Sequence, residues 1–336
     1  MYCSARFGAK AEPYTLVLDH SKGQNRGYDT LYVDAGRDGR ITAEEMFTGM
    51  PDTRSIRFGP VKLPIDWGTE KCPQWFLFHF FEYESKEGQV HRHMHVTNAG
   101  TYQGLVTFGD QKQLLAVVDA DANGIYNDSF KSAESPGDIL LIDRNGDGKL
   151  DGGYRSEEAQ PLGRYVLIGD RYWQLDLSPD GSAVIVEPLN KPLGTLHADV
   201  KDYSMLLLGE QGVLRARSHD GSAKVPAGKY RLFRCDYTLA DKFGKRWNFS
   251  TQAAKEEAVM DVPARGEAKV RFGPPLVPKV MASRSADELT LSLDLRGSGG
   301  EAYSDVRIIE GRPPVPKVRI LDASDRELAV LDFHYG

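Results

Sequence analysis

Along most of this chain, hydrophobic and polar residues alternate with a period of two, the spacing of side chains on a half-buried strand. Residues 14–19, ending in Asp19, and residues 28–34, ending in Asp34, read as a first pair of strands. The β pattern continues from 58 to 106, with an aromatic run at 75–83 and a histidine-rich run at 90–96. Apolar runs at 114–119 and 137–143 end in Asp119 and Asp143. Three short strands joined by turns fill 163–188, with Gly169-Asp170 and Asp180-Gly181 at hairpin positions. Further strands are predicted at 213–217, 225–232, 289–295, 306–309, 317–321 and 328–333. Helical periodicity is almost absent. Thr42 and Glu45 form a capping box that predicts a short helix, and a second helix is expected around 252–259. The fold class expected is all-β and multidomain.

The order of these elements repeats. A strand ends in an acid, a variable loop follows, and a second strand runs into an acidic Asp-Gly loop, first in 14–64 and again in 114–175. Residues 114–119 match 14–19 in this reading, and residues 137–143 match 28–34. Asn190 to Gly194 contains Pro and Gly that break both regular patterns and marks a linker. The expected domains are therefore a duplicated β-rich region, 1–190, followed by two small β-sandwich modules, 191–267 and 268–336.

The acidic loops carry the most specific chemistry. Asp143, Asn145, Asp147 and Asp151 stand at loop positions 1, 3, 5 and 9, with Gly148 at 6, the carbonyl of Lys149 at 7 and Leu150 at 8. A hard divalent cation needs such a layout, because calcium takes six to eight oxygens and alternating residues of a tight loop can converge on one point. Asp119, Asp121, Asn123 and Asn127 repeat it, with Gly124 at position 6 and the Ile125 carbonyl at 7. The earlier loop offers Asp34, Asp38, the Arg40 carbonyl and Glu45 at positions 1, 5, 7 and 12, but Gly36 at position 3 supplies no side-chain ligand. These loops resemble the calcium loops of EF-hand and dockerin-type proteins, and the resemblance covers the loops alone. The loop at Asp143 departs from it at position 12, where Tyr154 stands; Glu157, Glu158 or a carboxylate from elsewhere would have to complete the shell. A metal-free hairpin turn is the plainer alternative, since Asn-Gly and Asp-Gly are ordinary turn formers.

Composition narrows the classes of function. A net charge of −6 and the lack of any basic run argue against nucleic acid as a partner. No apolar run approaches the length of a membrane span, and no hydrophobic signal region precedes Cys3. Cys3, Cys72 and Cys235 match no zinc or redox pattern; one disulfide plus a free thiol, or three buried thiols, are both open. Calcium loops suit compartments where calcium is abundant, so a periplasmic or secreted location is expected.

His91, His93 and His95 would share one strand face, a spacing that metal enzymes use for zinc, iron or manganese. No carboxylate follows at the spacing of cupins or metallo-hydrolases, which favours a solvated, histidine-rich face. Trp75, Phe76, Phe78, Tyr172 and Trp173 could stack on a sugar or fill a β-core. No nucleophile elbow, Walker loop, dinucleotide fingerprint or zincin helix occurs. The segment from Val225 to Tyr230, Val-Pro-Ala-Gly-Lys-Tyr, resembles the start of a strand in transthyretin-like modules of bacterial surface proteins. The strict alternation at 289–295 suits an immunoglobulin-like sandwich. The whole order is similar to secreted bacterial multidomain β-proteins. The expectation is a calcium-binding structural, adhesion or interaction protein, whose partner is a surface or matrix protein or a polysaccharide. The alternative is a metal-dependent enzyme or sugar-binding protein that uses the histidine face or a cleft between the repeats.

Overall fold

The computed structural model describes residues 1–20, 27–52, 55–68, 71–85, 87–132, 135–153, 156–251, 259–286, 288–309, 311 and 314–333. Residues 252–258 of the expected helix, and Tyr154, lie outside them. Among the described residues the chain is all-β: eight sheets, with one 3-10 turn, Ala43–Glu45, where the capping box predicted a helix. The reciprocal bond of that box is present, since the Thr42 N–H donates to Glu45 Oε2 at 2.8 Å. The turn ends there because Met46 is extended and pairs with Tyr32. The chain divides into two compact units, Met1–Leu189 and Asn190–Gly336.

The first unit opens with a four-stranded meander: β1 (Tyr2–Phe7), β2 (Glu12–Asp19), β3 (Thr30–Val33) and β4 (Met46–Thr48). A second antiparallel sheet follows, with β5 (Met50–Pro51), β6 (Ile56–Asp66), β7 (Lys71–Glu84) and β8 (Val90–Asn98). Their shared core is built by alternation. On β7, Gln74, Phe76, Phe78 and Phe80 point inward, while Trp75, Leu77, His79 and Phe81 alternate with them on the other face. Phe58, Phe76 and Phe78 are fully buried, each contributing roughly 1.5–3 kcal/mol.

A second meander repeats the first: β9 (Tyr102–Phe108), β10 (Gln111–Val118), β11 (Ile139–Ile142) and β12 (Ala159–Pro161), in the same neighbour order. With β13 (Tyr165–Ile168), β14 (Arg171–Leu177) and β15 (Val184–Pro188) it encloses its own core, which includes Phe108, Leu140, Val166 and Trp173. The acidic loops leave the two meanders at the same place. The Asp34 N–H donates to the Thr15 carbonyl, and the Asp143 N–H to the Leu114 carbonyl, both at 3.0 Å. Leu16 lies across from Val33 as Leu115 lies across from Ile142. The counterpart of Leu16 is therefore Leu115, and Asp119 corresponds to His20 rather than to Asp19. The expected pairing of 14–19 with 114–119 is one residue out of register.

In the second unit, Leu193–His197 pairs antiparallel with Ser222–Pro226 and parallel with Glu267–Lys269. The boundary expected at 267/268 falls inside that last strand. A larger sheet holds Tyr203–Gly209, Gly212–Ser218, Gly228–Ala240 and Arg246–Thr251, and Tyr303–Ile308 adds to its edge. The alternating run at 289–295 lies in a two-stranded ribbon, Val277–Ser285 with Glu288–Arg296. Lys317–Leu321 and Glu327–Asp332 form another. Cys235 is buried, and Cys3 and Cys72 are half-buried.

Candidate metal centre

Asp119 directly follows β10 and Asp138 directly precedes β11, so the last pair of that ladder, Val118 with Ile139, brings both carboxylates to the mouth of one connection. The connection folds back on itself. The Asp128 N–H donates to Asp138 Oδ2, and the Asp138 N–H donates to the Asp128 carbonyl, both at 2.8 Å. Gly137 makes this closeness feasible: its φ is +60°, and a Cβ there would lie 2.4 Å from the Asp128 carbonyl oxygen. Asp119, Asp121 and Asp138 each place an oxygen within 4.8 Å of the others, the only such group of three among the described residues. These three can hold a metal ion. Asp119 and Asp138 are buried and Asp121 is exposed, which leaves a route from solvent.

Each ligand is aimed by its neighbours. Asp119 accepts the N–H groups of Asn123 at 3.1 Å and Gly124 at 2.9 Å, with Asn98 Nδ2 at 2.9 Å. Asn123 Nδ2 bridges Asp121 Oδ2 at 3.2 Å and Asp128 Oδ2 at 2.7 Å. Asp138 Oδ1 is buried and has no hydrogen-bond partner among the described residues. Burial above all, then the charges of Asp119, Asp121 and Asp128, push the Asp138 carboxyl up to about 8, against the N–H of Asp128. Burial likewise raises Asp119 to about 6, with Asp121 adding to the shift.

The loop is wedged between the two cores of its unit. Ala122, held at φ +54°, is buried in the first core, while Tyr126 is fully buried in the second. Gly8 N–H donates to the Asn123 carbonyl and Trp67 Nε1 to the Gly124 carbonyl, each at 2.7 Å. The Tyr126 hydroxyl donates to Gln74 Oε1 and accepts from Asn98 Nδ2, both at 2.9 Å.

Of the ligands expected here, the structure gathers Asp119, Asp121 and Asn123. Asn127 turns away and bonds the Leu177 carbonyl at 3.3 Å, and its neighbour Asp128 faces the centre instead. The N–H of Ile125 is held by Asn123 Oδ1 at 2.7 Å. Asp138 was not anticipated from the sequence, because it sits inside an apolar run read as strand. Its signal in the sequence is an acid between Gly137 and the apolar run 139–142.

The loop at Asp34 satisfies itself with backbone groups. Asp34 accepts N–H from Asp38 at 3.1 Å and Gly39 at 2.9 Å, and Arg40 N–H goes to Asp38 Oδ1 at 2.8 Å. Glu45 accepts from Ala35 at 2.8 Å and Gly36 at 3.2 Å, besides Thr42. The loop at Asp143 starts alike. Asp143 accepts from Gly146 at 2.8 Å and Gly148 at 3.0 Å, Asn145 from Asp147 at 2.8 Å, and Asp147 from Lys149 at 2.8 Å. Asp151 receives the Gly153 N–H at 2.9 Å.

The histidines share the outward face of β8, as alternation requires, and each packs against an aromatic ring of β7. His91 and His93 lie against the Tyr83 ring at 5.0 and 5.7 Å, and His95 meets Phe81 edge-on at 5.2 Å. The five aromatics read as a possible sugar platform separate. Phe76, Phe78, Tyr172 and Trp173 are buried, whereas Trp75 is 43% exposed, with the Lys62 ammonium 5.7 Å from its ring centre. Among the described residues no helix is long and apolar enough to cross a membrane. No known protein family, curated protein or solved structure matches this chain.

Proposed function

We propose that residues 1–189 form a calcium-stapled structural unit, and that the chain acts outside the cytoplasm as a surface, matrix or interaction module. The observation that carries this reading is the buried, unpartnered Asp138 Oδ1 beside Asp119 and Asp121. A buried carboxylate crowded by two others is tolerated only when it is protonated or when a cation joins the group. The donors are all oxygens, with no histidine or cysteine among them, which disfavours zinc and other metals that seek nitrogen or sulfur. Several carboxylates and a side-chain amide on an irregular loop suit calcium, which accepts six to eight oxygens in loose geometry; magnesium demands a near-ideal octahedron.

A structural role is supported by where the loop goes. It places Ala122 in one core and Tyr126 in the other, so an ion that orders it would fix the two halves of the unit against each other. The loop positions follow the EF-hand order at 1, 3 and 5 and depart from it in the closing carboxylate. The second unit, read as small transthyretin- or immunoglobulin-like sandwich modules, would present the binding surface to a protein or polysaccharide. Abundant extracellular calcium is what makes loops of modest affinity useful, and it supports the location.

Titration calorimetry of the full chain with calcium, magnesium and zinc chloride tests this reading. Calcium should bind, and Asp138→Asn should abolish one binding event. At calcium a hundredfold above Kd the bound ion adds about 2.7 kcal/mol, which raises the melting temperature of a unit this size by about 5–10 °C. No calcium heat, together with identical melting in calcium and in chelator, would overturn it.

A further inference from the structure

We infer that the loop at Asp143 is a second, independent divalent-cation site, closed by Glu158. Glu158 is buried, its Oε2 accepts the Asp151 N–H at 2.8 Å, and its Oε1 is buried without a hydrogen-bond partner among the described residues. The carboxylate is thus held against the loop by one oxygen while the other has nothing to bind. Its backbone fixes the placement: the Glu158 carbonyl accepts the Ile142 N–H at 2.9 Å, next to Asp143.

Register makes this placement structural rather than accidental. On the first meander Tyr32 pairs with Met46, so the register sets Glu45 opposite Val33, the residue before Asp34. On the second, Leu141 pairs with Ala159, so Glu158 falls opposite Ile142, the residue before Asp143. Glu158 therefore occupies the position of Glu45, and both carboxylates accept the N–H of the ninth loop residue, Thr42 or Asp151. The two loops then differ in two respects that concern a ligand. Glu45 has both oxygens filled by backbone N–H groups and sits half-exposed, and Gly36 leaves its loop one donor short. Glu158 keeps one oxygen open, buried, and Asn145 supplies the donor that Gly36 lacks.

The ligands are Asp143, Asn145, Asp147 and Glu158, with oxygen donors only, so the ion is a hard one such as calcium. Asp147 is exposed and must turn inward, because this loop does not hold three carboxylates as tightly as the group at Asp119. The second site should accordingly be the weaker of the two.

Calcium titration of the full chain, with calcium chloride as the only probe, distinguishes the two sites. The wild type should bind two ions, Asp138→Asn one, Glu158→Gln one, and the double variant none. Glu45→Gln should keep both. Asp147→Asn, at an exposed position that leaves the fold alone, should weaken the second event at least tenfold and serves if Glu158→Gln does not fold. Two ions retained in Asp147→Asn at unchanged affinity, or a single ion in wild type that vanishes with Asp138→Asn, would overturn the second site. Two ions in wild type and one in Asp147→Asn, with Asp138→Asn also binding two, would instead remove the first centre and leave this one standing.

Discussion

At the scale of single residues, the proposed centre sets protons against a cation. Asp138 and Asp119 have their carboxyls raised by burial to about 8 and about 6, above the value of roughly 3.9 that an unfolded aspartate shows. The cation-free fold therefore binds more protons than the unfolded chain between about pH 4 and pH 8. Stability contributed by these groups is fully present below about pH 4 and is lost progressively as pH rises to about 8. A cation reverses the dependence, because it must displace the protons. In chelator, the melting temperature of the first unit should fall between pH 5 and pH 8. Calcium affinity should move the opposite way, weakening by roughly tenfold per unit below pH 7. Asp138→Asn should flatten the stability curve and remove the pH-dependent binding event, and calorimetric titrations at pH 6, 7 and 8 would check it. Affinity independent of pH would mean that Asp138 does not meet the ion.

At the scale of elements, the loop between β10 and β11 depends on partners from the first core. Trp67 is 6% exposed and donates to the Gly124 carbonyl, so Trp67→Phe strands a buried acceptor. Such a loss costs about 1–3 kcal/mol. Chemical denaturation in calcium should show a cost of that size, with a weaker calcium response because the loop is less well held. The strands around this loop were legible in the sequence wherever one face is buried: the alternation of β7 and the turns of β13 to β15 are read directly. Register was not, because residues 14–19 and 114–119 were aligned on their terminal acids. The faces decide otherwise, since a one-residue slip would bring Leu16 and Leu18 out of the core. Asp119, Asp121 and Asn123, which the structure gathers, were legible from spacing within their loop. Asp138 and Glu158 were harder to place because strand pairing delivers them, and strand pairing leaves no fixed distance along the chain.

At the scale of the whole molecule, every carboxylate assigned to an ion lies in Met1–Leu189. Scanning calorimetry of the full chain should therefore show a calcium-sensitive and a calcium-insensitive transition. Leu207→Ala, in the fully buried centre of the second unit, identifies the latter by lowering it about 2–5 kcal/mol while leaving the calcium shift of the former intact. A single transition that moves as a whole with calcium would show instead that the units unfold together.

The closing carboxylates have one more consequence. Glu45, Glu158 and Asp138 follow the residue whose N–H they accept by three, seven and ten positions, from Thr42, Asp151 and Asp128. What they share is a place beside the paired strands, and the chain between may be any length that reaches. Doubling such a segment costs only about 0.6 kcal/mol in closure entropy. On the proposed reading, residues could be gained or shed between that N–H donor and the closing carboxylate without moving the carboxylate. A peptide spliced between Asp151 and Glu158 should accordingly leave the pairing of Ile142 with Glu158, and the strands around it, unchanged.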